Sequence, residues 1–149
     1  MAMCRIALDN AQEHAHQSIV DVLNHEFGRT YESYRRSACV VAENVVVWFP
    51  SITCDANRVP RTGWQNLLSE DANEIVTRYR GDDPRHAEAY ARRHDGFTHI
   101  VFARMEGTGL YQFIGVYDST RNRDIRYYRR IATEIVVRPD GVDWPPAIR

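Results

Sequence analysis

Between His99 and Asp118 two apolar runs face each other across a glycine-containing loop, and this pairing constrains the fold more than any other segment. The run His99-Ile100-Val101-Phe102-Ala103-Arg104 leads into Glu106 to Gly109, and Leu110 to Asp118 returns. β-Branched and aromatic residues on both sides of a short Gly-rich connection predict an antiparallel hairpin. Pairing Met105 with Leu110 sets Ile100, Phe102 and Arg104 opposite Gly115, Phe113 and Tyr111 on one face. The other face carries Val101, Ala103 and Met105 opposite Ile114, Gln112 and Leu110. Both faces are largely apolar, as expected of central strands covered on two sides.

Two residues of the first face depart from plain core. Gly115 removes a side chain from a strand interior, which marks either a β-bulge or close approach by a ligand or another backbone. Arg104, across from Tyr111, can lay its guanidinium on the ring. The alternative to a ligand here is a β-bulge with a cation pair at the rim; any ligand is expected on this face, with Val101, Ile114 and Val116 as core on the other.

The remaining chain reads as one domain, 1–149: an N-terminal helix within 1–28, a β-rich body over 38–137 and an irregular tail over 139–149. Asp9 or Asn10 can cap a helix that Gly28 stops, with Ala15, Ile19, Val22, Leu23 and Phe27 on one face. Valine-rich 38–42 and 45–50 flank a tight turn, 50–63 is loop, 64–68 is ambiguous and 74–80 alternates like a strand. Asp83-Pro84 opens a second helix that runs to His94, with Gly96 after its end. Strands are predicted at 98–105, 110–118 and 126–137. The expected fold class is α+β: a strongly bent antiparallel or mixed sheet, a partial barrel of five to six strands, with two flanking helices.

Composition narrows the chemistry. No apolar run reaches the roughly 18 residues of a membrane span, and MAMCRIALDN lacks a signal-peptide layout, so a cytoplasmic location is expected. Cys4, Cys39 and Cys54 are odd in number and widely spaced, which suits reduced, packed thiols. Every one of the 19 basic residues is arginine, yet the net charge is only −1. GC-rich codon usage accounts for that bias, while arginine forks also suit phosphate and base edges.

Catalytic patterns are missing. There is no G-x-S-x-G elbow, no phosphate-cradling glycine loop leading into a helix, and no recognisable spacing among Asp55, Glu70, Asp71 and Glu74. His-Ala-Glu at 86–88 opens like a zinc deaminase, but the P-C-x-x-C that must follow is absent. His14 and His16, two apart on the predicted helix, would point away from one another. No metal, cofactor or catalytic residue is assigned.

Two groups remain as binding candidates. The segment Arg121, Arg123, Arg126, Arg129, Arg130, interleaved with Tyr127 and Tyr128, can contact phosphates and stack on bases, or simply protect a sheet edge by charge. Of these, Arg126, Arg129 and Arg130 are the phosphate candidates. Trp64-Gln65-Asn66 sets a flat stacking surface beside two amides, and tryptophans of this kind also serve as lids on a core.

Trp64-Gln65-Asn66 followed by His99-Ile100-Val101-Phe102-Ala103-Arg104 and Tyr111-Gln112-Phe113-Ile114-Gly115-Val116-Tyr117 resembles the PUA-like superfamily over 45–137. The nearest echo is in small domains attached to helicase-like and HNH restriction proteins of bacterial defence islands. SRA-like and EVE-like members of that superfamily bind nucleic acids, and several take a modified or flipped base into an aromatic pocket. The resemblance thus implies a non-catalytic nucleic-acid reader in a bacterial or phage defence setting. On the face analysis, Trp64, Gln65, Asn66, Arg104, Tyr111, Phe113 and Gly115 would form its ligand site. Two other readings stay open. One is a small inhibitor or adaptor of phage or mobile-element origin that binds a defence protein, which suits the near-neutral charge. The other is a nucleotide-acting enzyme using His94 or His99 with Asp95 or Asp118.

Overall fold

The computed structural model describes residues 3–82, 89 and 91–145. Among them are ten strands: β1 (Cys4–Ala7), β2 (Ala38–Ala42), β3 (Val45–Trp48), β4 (Trp64–Leu68), β5 (Glu74–Tyr79), β6 (Thr98–Arg104), β7 (Tyr111–Asn122), β8 (Ile125–Ala132), β9 (Glu134–Arg138) and β10 (Gly141–Asp143). A 3-10 turn spans Ala11–His14, and one complete α-helix, α1, spans Ile19–Phe27. A seven-stranded mixed sheet runs β2-β3-β6-β7-β8-β5-β4, and a second sheet runs β1-β9-β10. No helix among the described residues is long and apolar enough to cross a membrane.

The α+β expectation is corrected. Strand takes 46% of the described residues against 10% for helix, so the protein is mostly β, and its two sheets do not close into a barrel. In place of two flanking helices there is α1. The segment expected as a second helix, 83–94, lies mostly outside the described residues, and Arg92 to Gly96 form turns.

The N-terminal helix is also shorter than its periodicity predicts, because local hydrogen bonds compete with it. The Asn10 side chain accepts from the Ala7 backbone N–H at 2.7 Å and donates to the Arg5 carbonyl, closing a turn after β1. Backbone pairing of His16 with Tyr111, at 3.1 and 2.8 Å, keeps the chain extended there. The helix then starts afresh at Ser18, whose hydroxyl accepts from the Asp21 N–H at 3.1 Å. Gly28 ends it in the left-handed conformation, as expected. The strand expected over 126–137 likewise divides at Thr133: β8 stays in the large sheet and β9 crosses to the small one. The tail is not wholly irregular, since β10 pairs with β9.

The hairpin forms as expected, with Phe102 opposite Phe113 and Arg104 opposite Tyr111. Beyond that point a bulge shifts the register, so that Gly115 meets Val101 instead of Ile100. Gly115 has φ +145°, a backbone conformation closed to most side chains. The extra residue reverses the alternation. Phe113 and Val116 join Ile100, Phe102, Leu23, Phe27 and Ile135 in the core under α1 and the small sheet. Ile114 and Tyr117 join Trp48, Ile75, Val101 and Tyr128 on the opposite face. Val116, expected with Val101 and Ile114, is moved to the other side by the bulge.

The face expected to receive a ligand is thus partly core. Phe27 meets Phe102 edge-on at 5.8 Å, and Phe102 and Phe113 are fully buried. The space over Gly115 is occupied by Arg130, whose Cγ would lie 2.9 Å from a Cβ added there. Gly115→Ala is therefore expected to cost about 2 kcal/mol or more, through strained backbone and displaced Arg130. A urea titration reads this as a lower midpoint at unchanged slope; an unchanged midpoint would contradict the bulge.

Candidate nucleic-acid interface

A cavity of about 830 Å³ opens between the β2–β3 edge, the loop after β3, and the strands β4, β5 and β8. Its aromatic wall joins residues 80 positions apart. Trp48 at the end of β3 stacks on Tyr128 of β8 with ring centroids 4.6 Å apart and planes 21° apart. Both aromatics project from the same face of the sheet and meet across the two intervening strands, β6 and β7.

His99, at the start of β6, meets both rings edge-on, at 6.0 Å from Trp48 and 5.1 Å from Tyr128. Burial, helped by the Arg126 charge, pushes its imidazole down to about 3, so the ring is neutral at physiological pH. Nδ1 lies 3.1 Å from the Phe97 carbonyl. An acceptor at that distance assigns the single ring proton to Nδ1 and leaves Nε2 as a hydrogen-bond acceptor.

Polar groups converge from the other side. Asn66 and Thr77 pair across β4 and β5. The Thr77 hydroxyl donates to the Asn66 Oδ1 at 2.8 Å, and the Asn66 amide donates to the Ser51 carbonyl at 3.1 Å. Arg35 and Arg36 are exposed members of the lining. Arg126 also borders the cavity but is buried, and its guanidinium donates to the carbonyls of Ala91 and Arg93 and to the Asp95 carboxylate. It thereby fastens the 91–95 turn to β8, 6.0 Å from the Tyr128 ring.

Of the residues singled out from sequence, Trp64, Asn66, Tyr111 and Arg126 come together around this one cavity. Gln65 points into the protein, fully buried, donating to the carbonyls of Ala56 and Arg58 and accepting from Arg78. Phe113 lies in the core, and Gly115 lies under Arg130. Arg104 is exposed at the end of β6, its backbone paired with Pro50 and Ile52. Arg129 is exposed on the other side of β8, beside Asp118 and Tyr127. Arg130 donates to the Ile114 and Asp71 carbonyls and to Asn73.

Of the enzyme candidates, His94 and His99 also line the cavity, but neither carboxylate does: Asp95 is bound by Arg121 and Arg126, and Asp118 pairs with Arg129 across β7 and β8. The His-Ala-Glu at 86–88 lies outside the described residues. Sequence reasoning missed the Trp48–Tyr128 stack and the part played by Thr77. An apolar strand end and a tyrosine among arginines carry no local sign of each other.

A family match and a solved structure of similar fold identify this mixed sheet as a PUA-like architecture. The SET and RING associated (SRA) domain family matches residues 4–137, and the chain belongs to that family of DNA-binding domains. The fold is similar to that of the 5-hydroxymethylcytosine-specific restriction enzyme AbaSI, with a TM-score of 0.70 and 23% identity over 91% of this chain. The alignment spans 43% of that enzyme's chain. No curated protein sequence matches significantly.

The depressed His99 pKa makes a pH prediction. An unfolded chain binds a proton at His99 below its ordinary value of 6.5, whereas the folded ring does so only near 3. Stability from the neutral ring is complete above 6.5 and is lost as the pH falls towards 3. His99→Phe removes this dependence. The Tm difference, wild type minus variant, should therefore shrink across that window, and a constant difference would contradict a neutral buried ring.

Proposed function

We propose that this SRA domain binds duplex DNA and reads a modified cytosine turned out of the helix into the 830 Å³ cavity. The observation that carries this reading is the Trp48–Tyr128 wall beside a neutral His99. An extruded base is recognised by stacking on aromatic side chains and by hydrogen bonds to its Watson–Crick edge, at a cost of a few kcal/mol for unstacking. Here the aromatic wall supplies the stacking. The His99 Nε2 acceptor suits the exocyclic amino group of cytosine, and Asn66 with Thr77 suits a further polar substituent such as a hydroxymethyl group. A cavity of this volume lies within the usual range for small-ligand sites.

Arg35 and Arg36, exposed at the lining, hold the flanking phosphates. That contact makes binding salt-dependent in spite of the net charge of −1. AbaSI, whose fold is similar, is specific for 5-hydroxymethylcytosine; this supports modified cytosine as the target here, and a defence role would follow from it. Our reading is recognition without cleavage by this chain.

Fluorescence anisotropy with two duplexes differing only in one 5-hydroxymethylcytosine tests it. The modified duplex should bind at least about tenfold more tightly, worth about 1.4 kcal/mol. Tyr128→Leu should erase that preference while keeping weak, sequence-independent binding. The Arg35→Ala/Arg36→Ala double variant should weaken both duplexes alike and reduce the salt slope by about two. Equal affinity for the two duplexes at every salt concentration would refute base reading.

A further inference from the structure

Behind the cavity, a second cluster draws together side chains that the base-reading site does not use. Cys4 of β1, His14 of the 3-10 turn and Glu26 of α1 place a sulfur, a ring nitrogen and a carboxylate oxygen all within 4.8 Å of one another. His14 Nδ1 lies 2.8 Å from Glu26 Oε1, and His16 Nε2 lies 2.6 Å from Oε2. His25 stacks flat on His16, with centroids 5.3 Å apart and planes 6° apart. The two histidines converge because residues 14–16 are not α-helical. A 3-10 turn followed by extended chain turns both rings towards α1, where an α-helix would have parted them.

Glu26 is buried, and among the described residues the hydrogen-bond partners of its carboxylate are these two imidazoles, with no arginine among them. Buried carboxylates are paired with cations or bind metals, since an unmatched charge in the interior is costly. We propose that Cys4, His14 and Glu26 bind one divalent transition-metal ion, zinc by their donor chemistry.

The donor set selects the ion. Thiolate, imidazole and a single carboxylate oxygen suit zinc, whereas calcium and magnesium require oxygen ligands throughout. Zinc ligands sit about 2.0–2.3 Å from the metal, which spaces donor atoms roughly 3–4 Å apart in a tetrahedron. The three donors reach that spacing by closing about 1 Å, which rotamer adjustment supplies. On binding, the Cys4 thiol gives up its proton to solvent and its sulfur bonds the metal. The His14 proton moves to Nε2, freeing the Nδ1 lone pair, and Glu26 Oε1 turns to the ion. Water fills the fourth position. His16 keeps its hydrogen bond to Oε2 and fixes the carboxylate, as outer-shell partners of metal ligands do. The ion would then tie β1 to α1, and through His16, whose backbone pairs with Tyr111, it would brace one side of the base cavity. The proposal is independent of what that cavity binds.

Cobalt(II) serves as the spectroscopic probe, added to full-length protein freed of metal by chelation. One cobalt per chain should bind, with a thiolate-to-metal charge-transfer band in the near ultraviolet and the visible bands of a tetrahedral ion. Zinc should displace it and raise the Tm. Cys4→Ser, a conservative change at a partly exposed position, should remove the charge-transfer band and weaken zinc binding at least tenfold. His14→Gln should weaken zinc binding in the same way. Cys54→Ser, which alters the exposed cysteine, should leave the spectrum intact. Absence of a charge-transfer band in the wild type at about 100-fold excess cobalt would overturn the site, as would its persistence in Cys4→Ser.

Discussion

The single extra residue at Gly115 governs the arrangement of the whole sheet. Strands β6 and β7 lie at its centre, and both of their faces are covered. Any slip in register therefore exchanges what each side chain touches. With the bulge in place, Val116 turns under α1 and Tyr117 turns to the opposite face, where its hydroxyl donates to the Ala72 carbonyl. Arg130 from β8 closes over the glycine, and the β7–β8 register shifts in step between Val116 and Tyr117. That second shift leaves Tyr128 on the same face as Trp48, and the aromatic wall of the cavity depends on it.

The hairpin was legible in the sequence because two apolar runs beside a Gly-rich loop admit few alternatives. Its function was not. The face chosen for a ligand carries Ile100, Phe102 and Phe113, which α1 covers, while Trp64, Asn66 and Tyr111 do border the cavity. A glycine inside a strand signals a bulge or a close approach; both occur at Gly115, and the approaching group is Arg130. Pattern alone could not tell which, since Arg130 lies on the next strand and approaches only through strand pairing. Arg126 misleads for a related reason. Beside other arginines it looks solvent-facing, but carbonyls of the distant 91–95 turn draw it inward.

Hydrogen-bond competition explains the helical misreadings. A periodic apolar pattern over 10–27 suits a helix, yet Asn10 and Ser18 each offer the backbone a local partner, and His16 pairs with Tyr111. Those three contacts keep the α-helix from starting before Ile19. They also create the convergence of His14 and His16 on Glu26 that helical geometry forbids. The break after β8 at Thr133 works in the same sense, since one apolar run serves two sheets.

The fold and the aromatic cavity belong together in a mostly β SRA domain. Its bulged central hairpin sets Trp48 against Tyr128, and we read the cavity beside them as a seat for an extruded modified base. A crystal structure with a duplex containing one 5-hydroxymethylcytosine tests that claim most directly. The modified base should lie out of the helix against the Trp48–Tyr128 wall, with its amino group on His99 Nε2. A base still stacked in the duplex, with the protein touching only the backbone, would contradict it.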